Sequence, residues 1–289
     1  MTSLSRRRVL GLLGVAGVGA AGLVELRRGA GSPGPPPKVA AGTTRLVETY
    51  GSGPRQLGEW WVPPQRTGLL PTVVLVHGGF WRGSYDLHLE DALAADLAGR
   101  GFLVWNIDYR PSEDPWPATL SDAAAYDFAF TGHYGARVDR ARVAVVGHSA
   151  GGQLALWLAS RDRLPVGAPG RRDHVRPALA VPQAPVAALA QASAEQLGAG
   201  AVDALLGGSP SAVPDRYAAA DPAALVPSGV RTVLLHGAGD AIVPLSQSEE
   251  YLRVGGPQVS LEKVPGDHFV HLDPASAACD ALRAALATL

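Results

Sequence analysis

The sequence predicts an α/β fold: a mostly parallel central sheet with helices on both faces and a small lid-like insertion. Three observations carry this. Short apolar runs rich in β-branched residues, such as 72–76 (TVVLV) and 143–146 (VAVV), recur along the chain and suit strands buried on both faces. Segments with apolar residues at helical spacing alternate with them, and such alternation implies parallel pairing through right-handed crossovers. Between one such strand and one such helix sits Gly147-His148-Ser149-Ala150-Gly151, a G-x-S-x-G turn that holds a serine in a strained conformation at its tip.

Length and composition bound the rest. A chain of 289 residues suits one large α/β domain. A net charge of −1 argues against a nucleic-acid partner. With 47% hydrophobic and 18% charged residues, the chain has enough apolar material for a core and is not of the disordered class. One cysteine, Cys279, excludes an intramolecular disulfide and a cysteine-cluster metal site.

Taken in order, residues 1–30 carry a basic start with paired arginines (Arg6-Arg7-Arg8) and then an apolar, glycine-rich run to Val24. This is the pattern of a twin-arginine export signal, either cleaved or retained as an anchor, and it predicts a periplasmic, extracellular or envelope location. Membrane contact is expected only through that segment. A G-x-G-x-x-G pattern at 17–22 has no strand before it, so no dinucleotide site is read there. Residues 31–42 form a Pro/Gly-rich linker, and the domain is expected to span 43–289.

Residues 44–50 and 57–62 read as a hairpin at the sheet's edge. Strands are expected at 72–76, 102–107, 143–146, 179–181, 232–235 and 259–264. Helices are expected at 87–99, 117–130, 149–160, 246–254 and 274–286, with Asp273 as the N-cap of the last. The alternation lapses over 186–228, which is too long for a simple loop and reads as a lid or pocket wall.

In open parallel sheets, reactive groups collect beyond the C-terminal ends of the strands. A serine hydroxyl needs a histidine to take its proton and a carboxylate to orient that histidine. Such ends supply Ser149, Asp240 and His268, in the order Ser…Asp…His. Asp203 and Asp221 lie away from strand ends, Asp267 adjoins the histidine, and Asp273 has its capping role, so Asp240 is the favoured acid. His271 is the one serious rival to His268. The Ala150 N–H, at the helix start, and the N–H groups of Gly79 and Phe80, in the glycine-rich loop after strand 72–76, are the oxyanion-hole candidates. Trp81 is the first choice for a substrate-binding residue, ahead of Tyr85, Trp116 and Trp157. No metal or cofactor is expected.

Gly147-His148-Ser149-Ala150-Gly151-Gly152 together with His77-Gly78-Gly79-Phe80-Trp81 resembles the esterase/lipase branch of the α/β-hydrolase superfamily. The H-G-G-F-W loop is similar to that of kynurenine formamidases and related small carboxylesterases. The resemblance runs from about Thr44 to the C-terminus. It implies an α/β-hydrolase fold with Ser149, Asp240 and His268 as triad and Gly79, Phe80 and Ala150 as oxyanion hole. Phe80 departs from the hormone-sensitive-lipase pattern, which has a third glycine there. The expected function is serine-dependent hydrolysis of carboxylic esters with small or medium acyl groups, the partner being a small-molecule ester or amide. Arylformamidase activity is the alternative, and a non-catalytic binding protein of the same fold the remote one. Oligomeric state is not read from the sequence.

Overall fold

The computed structural model describes residues 38–64 and 67–289; the export signal expected at 1–30 and the linker up to residue 37 lie outside them. Eight strands form one sheet in the order β1-β2-β4-β3-β5-β6-β7-β8, where the strands are β1 (Thr44–Thr49), β2 (Leu57–Val62), β3 (Leu70–Val76), β4 (Leu103–Ile107), β5 (Val138–His148), β6 (Leu179–Gln183), β7 (Arg231–Gly237) and β8 (Val259–Val264). The β1–β2 hairpin runs antiparallel and pairs antiparallel with β4. Every pairing from β4 through β3 to β8 is parallel.

Successive strand residues face opposite sides, and this sorts the apolar runs into two cores. Val73 and Leu75 of β3 and Ala144 and Val146 of β5 face α1 (Asp91–Gly99) and α8 (Ala277–Leu286), packing with Leu93, Leu97, Cys279 and Leu282. Val74, Val76, Val143 and Val145 face the other way, toward α2 (Ala118–Ala123) and α3 (Ala150–Ala159), where Leu120, Leu154 and Trp157 wait. Both faces of the central strands are therefore dry, which is why those runs are continuous rather than alternating.

Several helices differ from the sequence expectation. The helix expected at 87–99 opens as a 3-10 turn, Leu87–Glu90, with the Asp86 side chain accepting the His88 N–H. Glu90 ends that turn buried, its Oε1 without a partner. The helix expected at 117–130 is α-helical only to Ala123 and continues as a 3-10 helix to Phe130. The Trp105 indole N–H reaches the Ala125 carbonyl (3.3 Å) and the Arg172 guanidinium the Ala124 carbonyl (3.0 Å), drawing these acceptors to partners outside the helix. The last helix starts at Ala277, capped by Ser276, whose Oγ accepts the Cys279 N–H at 3.1 Å. Asp273 instead accepts the Ala275 N–H at 2.9 Å in a local turn, because residues 274–276 do not enter the helix.

The segment 186–228 carries three short helices, α4 (Leu189–Ala194), α5 (Leu197–Leu206) and α6 (Pro214–Ala220). Val202, Leu205 and Leu206 of α5 join the α3-side core. The start of α5 is a left-handed turn: Gln196, Gly198, Ala199 and Gly200 all have positive φ. α7 (Ser246–Gly255) follows β7 and precedes β8. No helix of the described residues is long and apolar enough to cross a membrane.

Candidate active site

β5 ends in the serine turn. Ser149 has φ 57° and ψ −117°, outside the regions open to most side chains. Two glycines make this geometry attainable. A Cβ on Gly147 would strike the Gly151 carbonyl, and one on Gly151 would strike the Val76 carbonyl of the neighbouring strand. Ser149 stands at the N-cap position of α3 but makes no side-chain cap bond, so its hydroxyl is not engaged in holding the helix.

Asp240 and His268 follow the last two strands of the sheet. β7 leads into Gly237-Ala238-Gly239-Asp240, and β8 into Pro265-Gly266-Asp267-His268. The two turns are laced together: the Ala238 N–H donates to the Val264 carbonyl and the Gly239 N–H to the Gly266 carbonyl, both at 2.8 Å. Asp240 Oδ2 lies 2.6 Å from His268 Nδ1, and both side chains are buried. The other carboxylate oxygen accepts the Ile242 and Val243 N–H groups at 2.8 and 2.9 Å. His236, at the end of β7, brings Nε2 to 3.4 Å from Oδ2, while bonding the Val243 carbonyl at 3.0 Å and Ser248 Oγ at 2.8 Å. Burial alone would raise the Asp240 carboxyl, but the hydrogen bonds from His236 and His268 outweigh it and hold the group well below the usual carboxylate range. An ionised Asp240 accepts only, so the proton of His268 sits on Nδ1 and the lone pair on Nε2. That Nε2 is buried with no partner.

The glycine-rich loop after β3 completes the arrangement. His77 stacks on Tyr109 with ring centroids 4.2 Å apart, and its Nε2 pairs with Asp108 at 3.0 Å. Its Nδ1 bonds the Gly78 carbonyl at 2.8 Å. The peptide is planar and trans, so holding the Gly78 carbonyl on one side aims the Gly79 N–H to the other. Among the described residues, no acceptor is paired with the backbone N–H of Gly79, Phe80 or Ala150. Gly79, Phe80 and Trp81 have φ of 109°, 50° and 54°. Two consecutive non-glycine residues in the left-handed region cost about 1–3 kcal/mol each, so the surroundings must impose the shape. The Ser112 N–H donates to the Trp81 carbonyl at 2.7 Å, the Trp81 indole donates to Gln153 at 3.2 Å, and the Phe80 ring lies against Gly198. Arg82 adds a hydrogen bond to the Gly198 carbonyl and a guanidinium 5.7 Å from the Phe80 ring.

A cavity of about 230 Å³ opens over Ser149, lined by Gly79, Tyr85, Leu89, His148, His268, Phe269 and Leu272. Its walls are mainly apolar, and no Lys, Arg, Asp or Glu lines it. Ser149, His268, Gly79 and Tyr85, four of the residues singled out in the sequence, thus share one cavity, with Asp240 behind the histidine. Trp81 does not line it: the ring is fully buried in the α3-side core with its N–H on Gln153. No residue of 186–228 lines it either; that segment meets the site through Val186, whose N–H donates to the Ser149 carbonyl at 3.3 Å, and through Gly198, against Phe80 and Arg82. Leu89, Phe269 and Leu272 escaped the sequence reading. Leu89 has the spacing of a core residue, and nothing local marks the residues after a histidine as a wall.

His271, the rival base, is buried with both ring nitrogens unpartnered. Burial, with His268 and His236 nearby, pushes it down to about 3. A group so weakly basic is a poor proton acceptor at neutral pH.

A family model described as BD-FAE matches residues 59–253. Carboxylesterase NlhH of Mycobacterium tuberculosis is 37% identical over 108 residues, 36% of this chain and 33% of the relative. The probable isoprenylcysteine alpha-carbonyl methylesterase ICMEL1 of Oryza sativa is 36% identical over 110 residues, 37% of this chain and 25% of the relative. The chain thus spans a third or less of the length of these curated relatives. Among solved structures, esterase B from Lactobacillus rhamnosis superposes with a TM-score of 0.73 at 19% identity, covering 93% of this chain and 90% of that one. Brefeldin A esterase, a bacterial homologue of human hormone-sensitive lipase, gives 0.67 at 19%, covering 94% and 83%. The fold is the α/β-hydrolase fold.

Proposed function

The chain belongs to the BD-FAE family, and from that premise we propose that it is a serine hydrolase that cleaves carboxylic esters with small or medium acyl groups. The observation that carries the reading is the Asp240–His268 contact of 2.6 Å with the unpartnered Nε2 of His268 in the same cavity as Ser149. In this mechanism Nε2 accepts the Ser149 proton as Oγ attacks the ester carbonyl. The oxyanion that develops is met by the N–H groups of Ala150 and of Gly79 or Phe80, fixed before substrate arrives. Collapse of the tetrahedral intermediate passes the proton from His268 to the departing alcohol and leaves an acyl group on Ser149. Water, deprotonated by the same Nε2, releases the acid. Asp240 holds the tautomer throughout and stabilises the imidazolium.

The cavity supports an uncharged acyl group of modest size. It has no charged wall to pair with an ionic substrate, and its apolar lining rewards hydrocarbon. Trp81, buried away from this cavity, has no part in the proposed binding. The sequence of residues 1–30 adds the proposal that the protein works outside the cytoplasm.

The test is hydrolysis of p-nitrophenyl esters of graded acyl length, with Ser149→Ala as control. Turnover on acetate and butyrate, falling with longer chains and reduced on the order of 10⁴–10⁶-fold by the substitution, is expected. A variant with near-normal turnover refutes the mechanism. Inert esters alongside cleaved N-formyl arylamides would assign the same machinery to a formamidase, the alternative that the His77-Gly78-Gly79-Phe80-Trp81 loop shares with small carboxylesterases.

A further inference from the structure

His148 stands in the variable position of the serine turn and has no part in the proton relay. It ends β5, while His268 follows β8, with β6 and β7 between them in the sheet. Yet its Nε2 lies 2.8 Å from the backbone carbonyl oxygen of His268, and the two rings sit 4.6 Å apart. Among the described residues this is the one hydrogen bond that joins the turn 147–151 to the turn 265–272. A carbonyl only accepts, so Nε2 carries the hydrogen. Nδ1 is then a bare lone pair. It is buried with no partner, packed where a Cβ on Gly78 would come within 3.0 Å of it. The ring cannot act as base: one nitrogen is engaged, the other faces Gly78, and no carboxylate supports it. An apolar side chain would fill this buried place without leaving a stranded acceptor.

We infer that His148 is a positioning residue, a strut that ties the nucleophile turn to the base-bearing turn and so fixes the separation of Ser149 Oγ and His268 Nε2. The inference rests on the serine-hydrolase reading above. Its logic is covalent as well as geometric. His148 is bonded directly to Ser149, and its side chain grips the backbone of His268 itself, so one residue spans both reacting groups. Burial, reinforced by His268 and His271, holds the ring neutral and well below its usual range, so the strut adds no charge beside the imidazolium that His268 becomes.

Side-chain geometry supplies the experiment. The amide nitrogen of glutamine lies as many bonds from Cα as Nε2 of histidine, whereas that of asparagine corresponds to Nδ1. Gln at 148 can reach the His268 carbonyl; Asn cannot. His148→Asn and His148→Phe are expected to lower kcat on p-nitrophenyl acetate by roughly 10–10²-fold, the scale of a misplacement near 1 Å. His148→Gln is expected to recover most of that loss. KM and the melting temperature should separate the three far less than kcat does. Labelling of Ser149 by a phosphonate ester should slow in step with kcat. Equal losses in the Gln and Asn variants, or wild-type kcat in His148→Phe, would overturn the strut. Failure of the wild-type protein to be labelled at Ser149 would instead overturn the serine-hydrolase reading on which it stands.

Discussion

Replacing Glu90 by glutamine converts a buried acid into a measurable pH dependence. Glu90 ends the 3-10 turn that carries Leu89 into the cavity wall; it is 1% exposed and its Oε1 has no partner. Burial, with Asp91 adding to it, pushes the carboxyl up to about 8, from 4.5 in an exposed chain. Between those values the folded protein keeps a proton that the unfolded chain has released. Stability therefore falls as pH rises through the window, by about 1.4 kcal/mol per unit, and levels off above 8. The accumulated loss is under about 1 kcal/mol at pH 5 and about 3 kcal/mol at pH 7. Glutamine has nearly the same shape and no charge to lose. Glu90→Gln should melt about 6–12 °C above the parent at pH 7 and only about 2–3 °C above it at pH 5. Thermal unfolding followed by circular dichroism at pH 5, 6, 7 and 8 reads the difference. A gap that stays constant or narrows as pH rises would refute the reasoning.

Three further outcomes are expected. Asp240→Asn should lower kcat by about 10⁴-fold, because an amide can donate as well as accept and no longer enforces the tautomer with Nε2 bare; steady-state kinetics on p-nitrophenyl acetate decide it, and a larger loss in Asp273→Asn would show the acid misassigned. His271→Phe should leave kcat within a few-fold and lessen acid lability: a histidine held near 3 when folded draws protons to the unfolded chain as pH falls from about 6.5, a drain that phenylalanine removes. Melting curves from pH 7 down to pH 4 would reveal it, and a parent and variant that lose stability in parallel would contradict it. Leu272→Trp should narrow the cavity and lower the butyrate-to-acetate ratio of kcat/KM by about 10-fold or more; an unchanged ratio would place the acyl group elsewhere.

What the sequence disclosed follows the range of the interactions concerned. The dry runs at 72–76 and 143–146 are local, and the two-sided cores they imply are present. The serine turn is also local: Gly147 and Gly151 are needed by contacts within a few residues and with the next strand. That Asp240 and His268 meet was legible because both follow strand ends, a rule of topology rather than of contact. The failures lie where distant groups decide. The break of the second helix depends on Trp105 and Arg172, and the true cap, Ser276, differs from Asp273 only in where the chain turns. Trp81 adjoins the oxyanion loop in sequence, yet the left-handed backbone at 79–81 swings its ring into the core. His148 reads as an unremarked turn residue until a partner 120 positions away is in place.

Cys279 faces the sheet from the first turn of α8, wholly buried, with its Sγ 3.3 Å from the His271 carbonyl and its thiol pushed up to about 11 by burial. A thiol so placed reacts with a disulfide reagent only when that part of the molecule opens. As the chain's single sulfhydryl, it is a built-in clock. The rate at which it is modified counts excursions of the His268–Leu272 turn away from α8, without any label being introduced. Slower modification in the presence of a phosphonate ester would time how firmly occupancy of the cavity over Ser149 holds the His268–Leu272 turn in place.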